Sequence, residues 1–157
     1  MTPGEFLQTV VRPNVEEFNA NYGDVRRAHN AVAAVDALAA HIYVWCKTDA
    51  PSEIAGLAND TDYRERLAQC SSDFRLLRDI AKAQKHVHLD RGQPEVTTSA
   101  QVKARSFGYG EGGYGVGRYG GPPQVVVTTD GGELRYVEKI VAAALALLEA
   151  EMARLNI

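Results

Sequence analysis

A chain of 157 residues, 45% hydrophobic and 24% charged, has the size and balance of one globular domain that can bury a core without metal or disulfide staples. Its 17 basic and 20 acidic residues give a formal net charge of −3. That excludes a global field that would gather polyanions, so any nucleic-acid contact needs a local basic patch.

In chain order, Phe6, Leu7, Val10 and Val11 stand at helical spacing and then meet Pro13, where the missing amide predicts a break or kink. Asn14 and Glu17 have the spacing of a capping box, which predicts a short second helix carrying Val15 and Phe18. Asp24 is placed to cap the longest helix, running roughly to Lys47. There Val32, Val35, Ala39, Ile42 and Cys46 form a packing stripe that Leu38 and Trp45 widen.

Asp49 and Pro51 mark another start, with Thr61, Ser71 and Ser72 as further caps, so residues 53–90 should hold two or three helices. The clearest begins near Asp73. Leu76, Leu77, Ile80, Ala81, Ala83 and Val87 fall on one side; Arg75, Arg78, Lys82, Lys85 and His86 fall on the other. Gln84 lands within the apolar side, which implies partial burial there.

From Val96 to Arg105 apolar and polar residues alternate with the period of a half-buried strand. Residues 108–121 repeat Tyr-Gly-x-Gly and are closed by Pro122 and Pro123, as a loop or ribbon tip. Gln124 to Thr129 is a second strand, Asp130-Gly131-Gly132 a turn, and Glu133 to Tyr136 a short third strand. Val137, Ile140, Val141, Ala144, Leu145, Leu148, Met152 and Leu155 then make a C-terminal helix. The expected architecture is mainly α: a single domain over 1–157, a helical bundle of about five helices with a Gly/Tyr-rich β-hairpin insertion, 93–136, before the last helix.

Cys46 and Cys70 have neither metal-site nor redox spacing. The first residues lack the basic and apolar regions of a secretory signal, and the apolar stretch 31–46, broken by Asp36 and His41, is too short to span a bilayer. Reduced thiols, a cytoplasmic location and no membrane contact are the expectation.

Four groups of residues bear on chemistry. Arg75, Arg78, Lys82, Lys85 and His86 place several cations on one helix face, a candidate phosphate-binding strip that also fits a solvated surface. His86, His88 and Asp90 alternate, so an extended segment would present two imidazoles and a carboxylate to a divalent metal, as in a metal-dependent hydrolase. On the longest helix His29, Asp36 and Tyr43 recur every seven residues and lie nearly in line. Asp36 there needs a partner, either His29 or a cation from the Arg75 helix, and a structural polar network is the favoured reading. Finally Tyr109, Tyr114, Arg118 and Tyr119 would make efficient contacts with a protein partner or with stacked bases. The glycines around them match a dinucleotide fingerprint in form, but Pro122, Pro123 and a strand follow where that fingerprint requires the start of a helix. No cofactor is expected.

The run from Phe74 to His86, Phe-Arg-Leu-Leu-Arg-Asp-Ile-Ala-Lys-Ala-Gln-Lys-His, resembles the motif helix of the HEPN family, helical bundles that include ribonucleases and noncatalytic nucleic-acid binders. The resemblance implies Arg78 as the phosphate-binding cation and His86 as the group assisting the 2′-hydroxyl, without metal. Seven residues separate Arg78 from His86, more than the family's motif has. The sequence thus favours a noncatalytic binding or assembly protein, a homo-oligomer or the holder of a protein partner. A HEPN-like ribonuclease or RNA binder is the second reading and a metal-dependent hydrolase the third.

Overall fold

The amino-terminal rod shows how the chain passes a proline without breaking. In the computed structural model, which describes residues 1–86, 88–90, 92–106 and 121–157, Thr2 and Glu5 form a reciprocal capping box at the start of helix α1, Pro3–Phe6. The rod then widens into a π-helical segment, Leu7–Val11, and continues as α2, Arg12–Asn19. Pro13 has no hydrogen for the carbonyl a turn below, and the wider turn absorbs that deficit: the Arg12 amide reaches back to the Leu7 carbonyl. Asn14 does not cap a new helix, as its spacing suggested; its Nδ2 donates to the Val10 carbonyl at 2.8 Å. Leu7, Val11, Val15 and Phe18 stay aligned on one buried face.

Asp24 caps α3, Val25–Asp49, by accepting the Arg27 amide at 3.1 Å. Twenty-five residues make a rod about 37 Å long. It packs against α1 and α2 and against the three helices that follow: α4 (Asp60–Cys70), α5 (Ser72–His86) and α6 (Val137–Leu155). The alanine-rich stripe explains this central place, because Ala28, Ala31, Ala34 and Ala39 are buried and let neighbours approach closely. Asn59 caps α4 and the Ser71 hydroxyl caps α5, whereas Asn156 closes α6 in the left-handed conformation at φ 59°. With α1, the π segment and α2 counted as one, the described residues form five helical rods.

The insertion is a three-stranded antiparallel meander, β1 (Val102–Arg105), β2 (Gln124–Thr128) and β3 (Leu134–Tyr136), in the order β1-β2-β3. The strand expected from Val96 is shorter than its alternation suggested. Its first half holds only a single bridge, Thr98 to His88, and a 3-10 turn, Ser99–Gln101. There the Gln101 side chain replaces the ladder: Oε1 accepts the amides of Thr97 and Thr98 at 2.9 and 2.7 Å, and Nε2 donates to the Thr128 carbonyl at 2.8 Å. Between β2 and β3 the turn needs Gly132, whose φ of 82° suits glycine.

Val125 and Val127 join the helical core, while Val126 is buried on the opposite face between its cross-strand partners Lys103 and Tyr136. Three ties fix the sheet to the bundle. The Val125 amide donates to the Tyr22 carbonyl at 2.6 Å, the Asp130 amide to the Glu95 carbonyl at 2.8 Å, and Arg135 pairs with Asp73 at 2.6 Å. Gly23 permits the first of these, since a β-carbon there would lie 2.7 Å from the Pro123 carbonyl oxygen. Among the described residues no helix is long and apolar enough to cross a membrane.

Candidate functional site

The charged side of α5 is only partly solvated. Helix α4 and residues 88–90 and 92–95 lie over part of it, so that Arg78 and Asp79 are buried, Lys82 is half-buried and Arg75 is exposed. Of the five residues expected on this face, Arg75, Lys85 and His86 are exposed as on a solvated helix, whereas Arg78 and Lys82 lie under a second layer that the sequence pattern of one helix does not reveal. Arg78 keeps only 3% of its surface. Its Nη1 donates to Glu65 Oε2 at 2.6 Å and its Nη2 to the Thr61 carbonyl at 3.2 Å, which fixes the guanidinium fork.

Asp79 Oδ2 accepts the Glu95 amide at 2.8 Å and holds the covering segment to the helix. Burial pushes the Asp79 carboxyl above the ordinary aspartate range, against the lowering effect of that amide and of the charges on Lys82 and Arg75. Burial, seconded by the positive charge of Arg78, pushes the Lys82 amine below the ordinary lysine range, against the opposite pull of Asp79, Glu65 and Asp36. No carboxylate forms a salt bridge with Lys82 among the described residues. These groups surround a cavity of about 350 Å³ whose charged walls are Arg75, Arg78, Lys82, Glu65 and Asp79 and whose remaining wall is the segment carrying Leu89, Gln93 and Pro94.

Of Arg78, His86, Asp36 and His29, only Arg78 lines this cavity. His86 lies eight positions along the helix from Arg78, about 12 Å of rise and roughly 80° of turn. His86 is exposed in the last turn of α5, as is Lys85. The metal arrangement is corrected by the same helix end: an alternating set requires an extended run, but His86 is helical and His88 alone enters a bridge, with Asp90 exposed beyond it. Among the described residues no three or more His, Cys, Asp or Glu side chains are placed to hold a metal ion.

His29, Asp36 and Tyr43 turn inward along α3 as their spacing requires, yet they do not bond one another. Seven residues are about 10 Å of rise, too far for a direct contact. Asp36 instead receives Arg64 Nη1 of α4 at 2.6 Å, and Arg64 also grips Asp60 one turn back. Lys82 is the cation of α5 nearest to the expected role, acting on Asp36 through longer-range charge alone. Burial holds the His29 imidazole below the ordinary histidine range, against the raising effect of the Gln84 side chain of α5, and its Nδ1 is buried without a partner among the described residues. Tyr43 packs its ring against Tyr63 at 6.0 Å. His41 is a packing residue, stacked on Phe6 with ring centroids 3.9 Å apart.

Sequence reasoning missed Arg64, Glu65 and the role of Asp79. The available signal was the density of charge on α4, where Asp60, Asp62, Arg64, Glu65 and Arg66 crowd seven positions, more than one exposed helix face requires. Tyr109, Tyr114, Arg118 and Tyr119 lie outside the described residues. Beyond them, Pro122, Pro123 and Gln124 border a second cavity of about 510 Å³ with Tyr22, Tyr136 and Glu138. Compared with protein-family models, with curated proteins and with solved structures, the chain matched none.

Proposed function

We propose that this chain is a noncatalytic binding protein whose α5 cleft holds its ligand by an anionic group. The observation that carries this is Lys82, half-buried in the same cavity wall as the fixed guanidinium of Arg78 and without a direct salt bridge among the described residues. A cation drawn out of water without a counter-ion is costly, and an anion entering the cleft offsets that cost. Among the described residues of the cavity wall, three cations stand against two carboxylates, one positive charge in excess. A carboxylate, sulfate or phosphate group would find Arg75 and Lys82 without salt bridges among the described residues and the charge of Arg78 in the same wall.

The ribonuclease alternative drawn from the HEPN resemblance has less support, because His86 lies outside the cavity that Arg78 lines. One set of measurements separates the two. Titration with inorganic phosphate, followed by amide chemical shifts, should perturb residues 75–82 and 92–95, and Lys82→Ala should weaken binding about tenfold, the value of one charge-assisted contact. His86→Ala should leave that binding unchanged. Shifts confined to other regions, or cleavage of mixed RNA that disappears in the His86→Ala variant, would refute the proposal.

A further inference from the structure

We infer, resting on the anion-binding reading of the α5 cleft, that its ligand is a small phosphate monoester carrying hydroxyl or amino donors, with the phosphate on Arg75 and Lys82 and a donor on Asp79. Asp79 is the reason for the second half of that statement. Its residue is 94% buried by the complement of a 6% exposure, it lines the cavity, and only Oδ2 is occupied, by the Glu95 amide. Oδ1 makes no hydrogen bond among the described residues and stays open to solvent rather than sealed in the protein. A site meant only for phosphate would not place an acceptor-only carboxylate against it. A ligand with separated ends resolves the contradiction: the anion sits among the cations, and a hydroxyl or amine gives its hydrogen to Oδ1. Burial already drives this carboxyl toward protonation, and a donated hydrogen bond stabilises the ionised form instead.

Size and charge pattern also favour a small molecule over a nucleic-acid strand. About 350 Å³ lies at the lower end of small-ligand sites, and Leu89 and Pro94 supply an apolar wall for a short carbon skeleton. A strand continuing past the cleft would meet Glu65, whose side chain is half-exposed, together with Asp79 and Glu95. Those carboxylates repel successive phosphates, whereas a single terminal phosphate need not approach them.

The test uses the full chain and four probes: inorganic phosphate, ribose 5-phosphate, pentyl phosphate and a short oligouridylate, each measured by calorimetry and amide shifts. Ribose 5-phosphate should bind about tenfold more tightly than pentyl phosphate, which lacks the donors. In Asp79→Asn, whose side chain can still accept the Glu95 amide but then offers an NH₂ in place of Oδ1, that advantage should fall below about threefold. Inorganic phosphate should bind this variant at least as well as the natural chain. Equal affinities of ribose 5-phosphate and pentyl phosphate for the natural chain, a comparison needing no variant, would overturn the inference. If inorganic phosphate still binds in the cleft, the anion reading survives that result; if no probe binds there, both fall. Oligouridylate binding more tightly than ribose 5-phosphate would overturn the inference in favour of a nucleic-acid strand.

Discussion

Two arginines leave solvent on neighbouring helices, and their surroundings differ. Arg64 of α4 meets two carboxylates, Asp36 and Asp60, and the Asp36 side chain is only 6% exposed. Arg78 of α5 meets one, Glu65, whose side chain is 51% exposed, and it borders a cavity that holds further cations. The first arrangement is closed: Arg64 Nε and Asp36 Oδ1 are buried without partners, the remaining cost of sealing an ion pair between α3 and α4. The second is open, with its acid partner half in water and a net positive wall beside it. A buried guanidinium is therefore not in itself a sign of function; what distinguishes the two is whether acids outnumber the cation and whether space adjoins it.

The largest expected effect breaks the closed pair. Arg64→Met leaves Asp36 ionised and uncompensated inside the bundle and should cost about 3–5 kcal/mol in urea unfolding at neutral pH. Adding Asp36→Leu should recover most of that, since well-packed apolar residues often replace a buried pair without loss. A loss below about 1 kcal/mol in the single variant would place Arg64 among ordinary surface pairs and remove the contrast. Arg78→Met should cost less, about 1–3 kcal/mol, because Glu65 can relax into water, but it should abolish phosphate binding. Equal losses at Arg64 and Arg78 would mean that both are staples. Lys82→Ala sharpens the distinction, with unfolding within about 0.5 kcal/mol of the natural chain and phosphate affinity lowered about tenfold.

How much of this could be read from the sequence follows from the range of each interaction. Helices α3, α5 and α6 and the strands β2 and β3 declare themselves by local periodicity, and the structure has them within a few residues of the expected bounds. Pro13 misled because a π-helical turn, not a break, absorbs its missing amide, and the alternation of 96–105 misled because the Gln101 side chain takes the amides of Thr97 and Thr98 in place of a ladder. The site was half legible. Arg75, Arg78 and Lys82 stood out as one face of α5, and Asp36 as a polar residue in need of a partner. Their partners could not be read, because Glu65 and Arg64 reach them from another helix, and Asp79 holds the covering segment in place through the Glu95 amide.

The smallest effect concerns Lys82 itself and probes whether the cleft is open in the electrostatic sense. Burial and the neighbouring Arg78 charge lower its pKa, so its protonated form is less favoured in the folded chain than in the unfolded one. For a base with a lowered folded pKa, the contribution opposes folding while the group is charged and is relieved as pH rises through the folded value. A bound phosphate reverses the balance by supplying the missing counter-charge. A ¹³Cε titration should therefore show Lys82 deprotonating below the ordinary lysine range in the free chain and moving upward with saturating inorganic phosphate, while Arg78→Met alone also moves it upward. A Lys82 that titrated as an ordinary lysine and ignored phosphate would not share a field with Arg78, and the contrast between the two arginines would then reduce to one of packing.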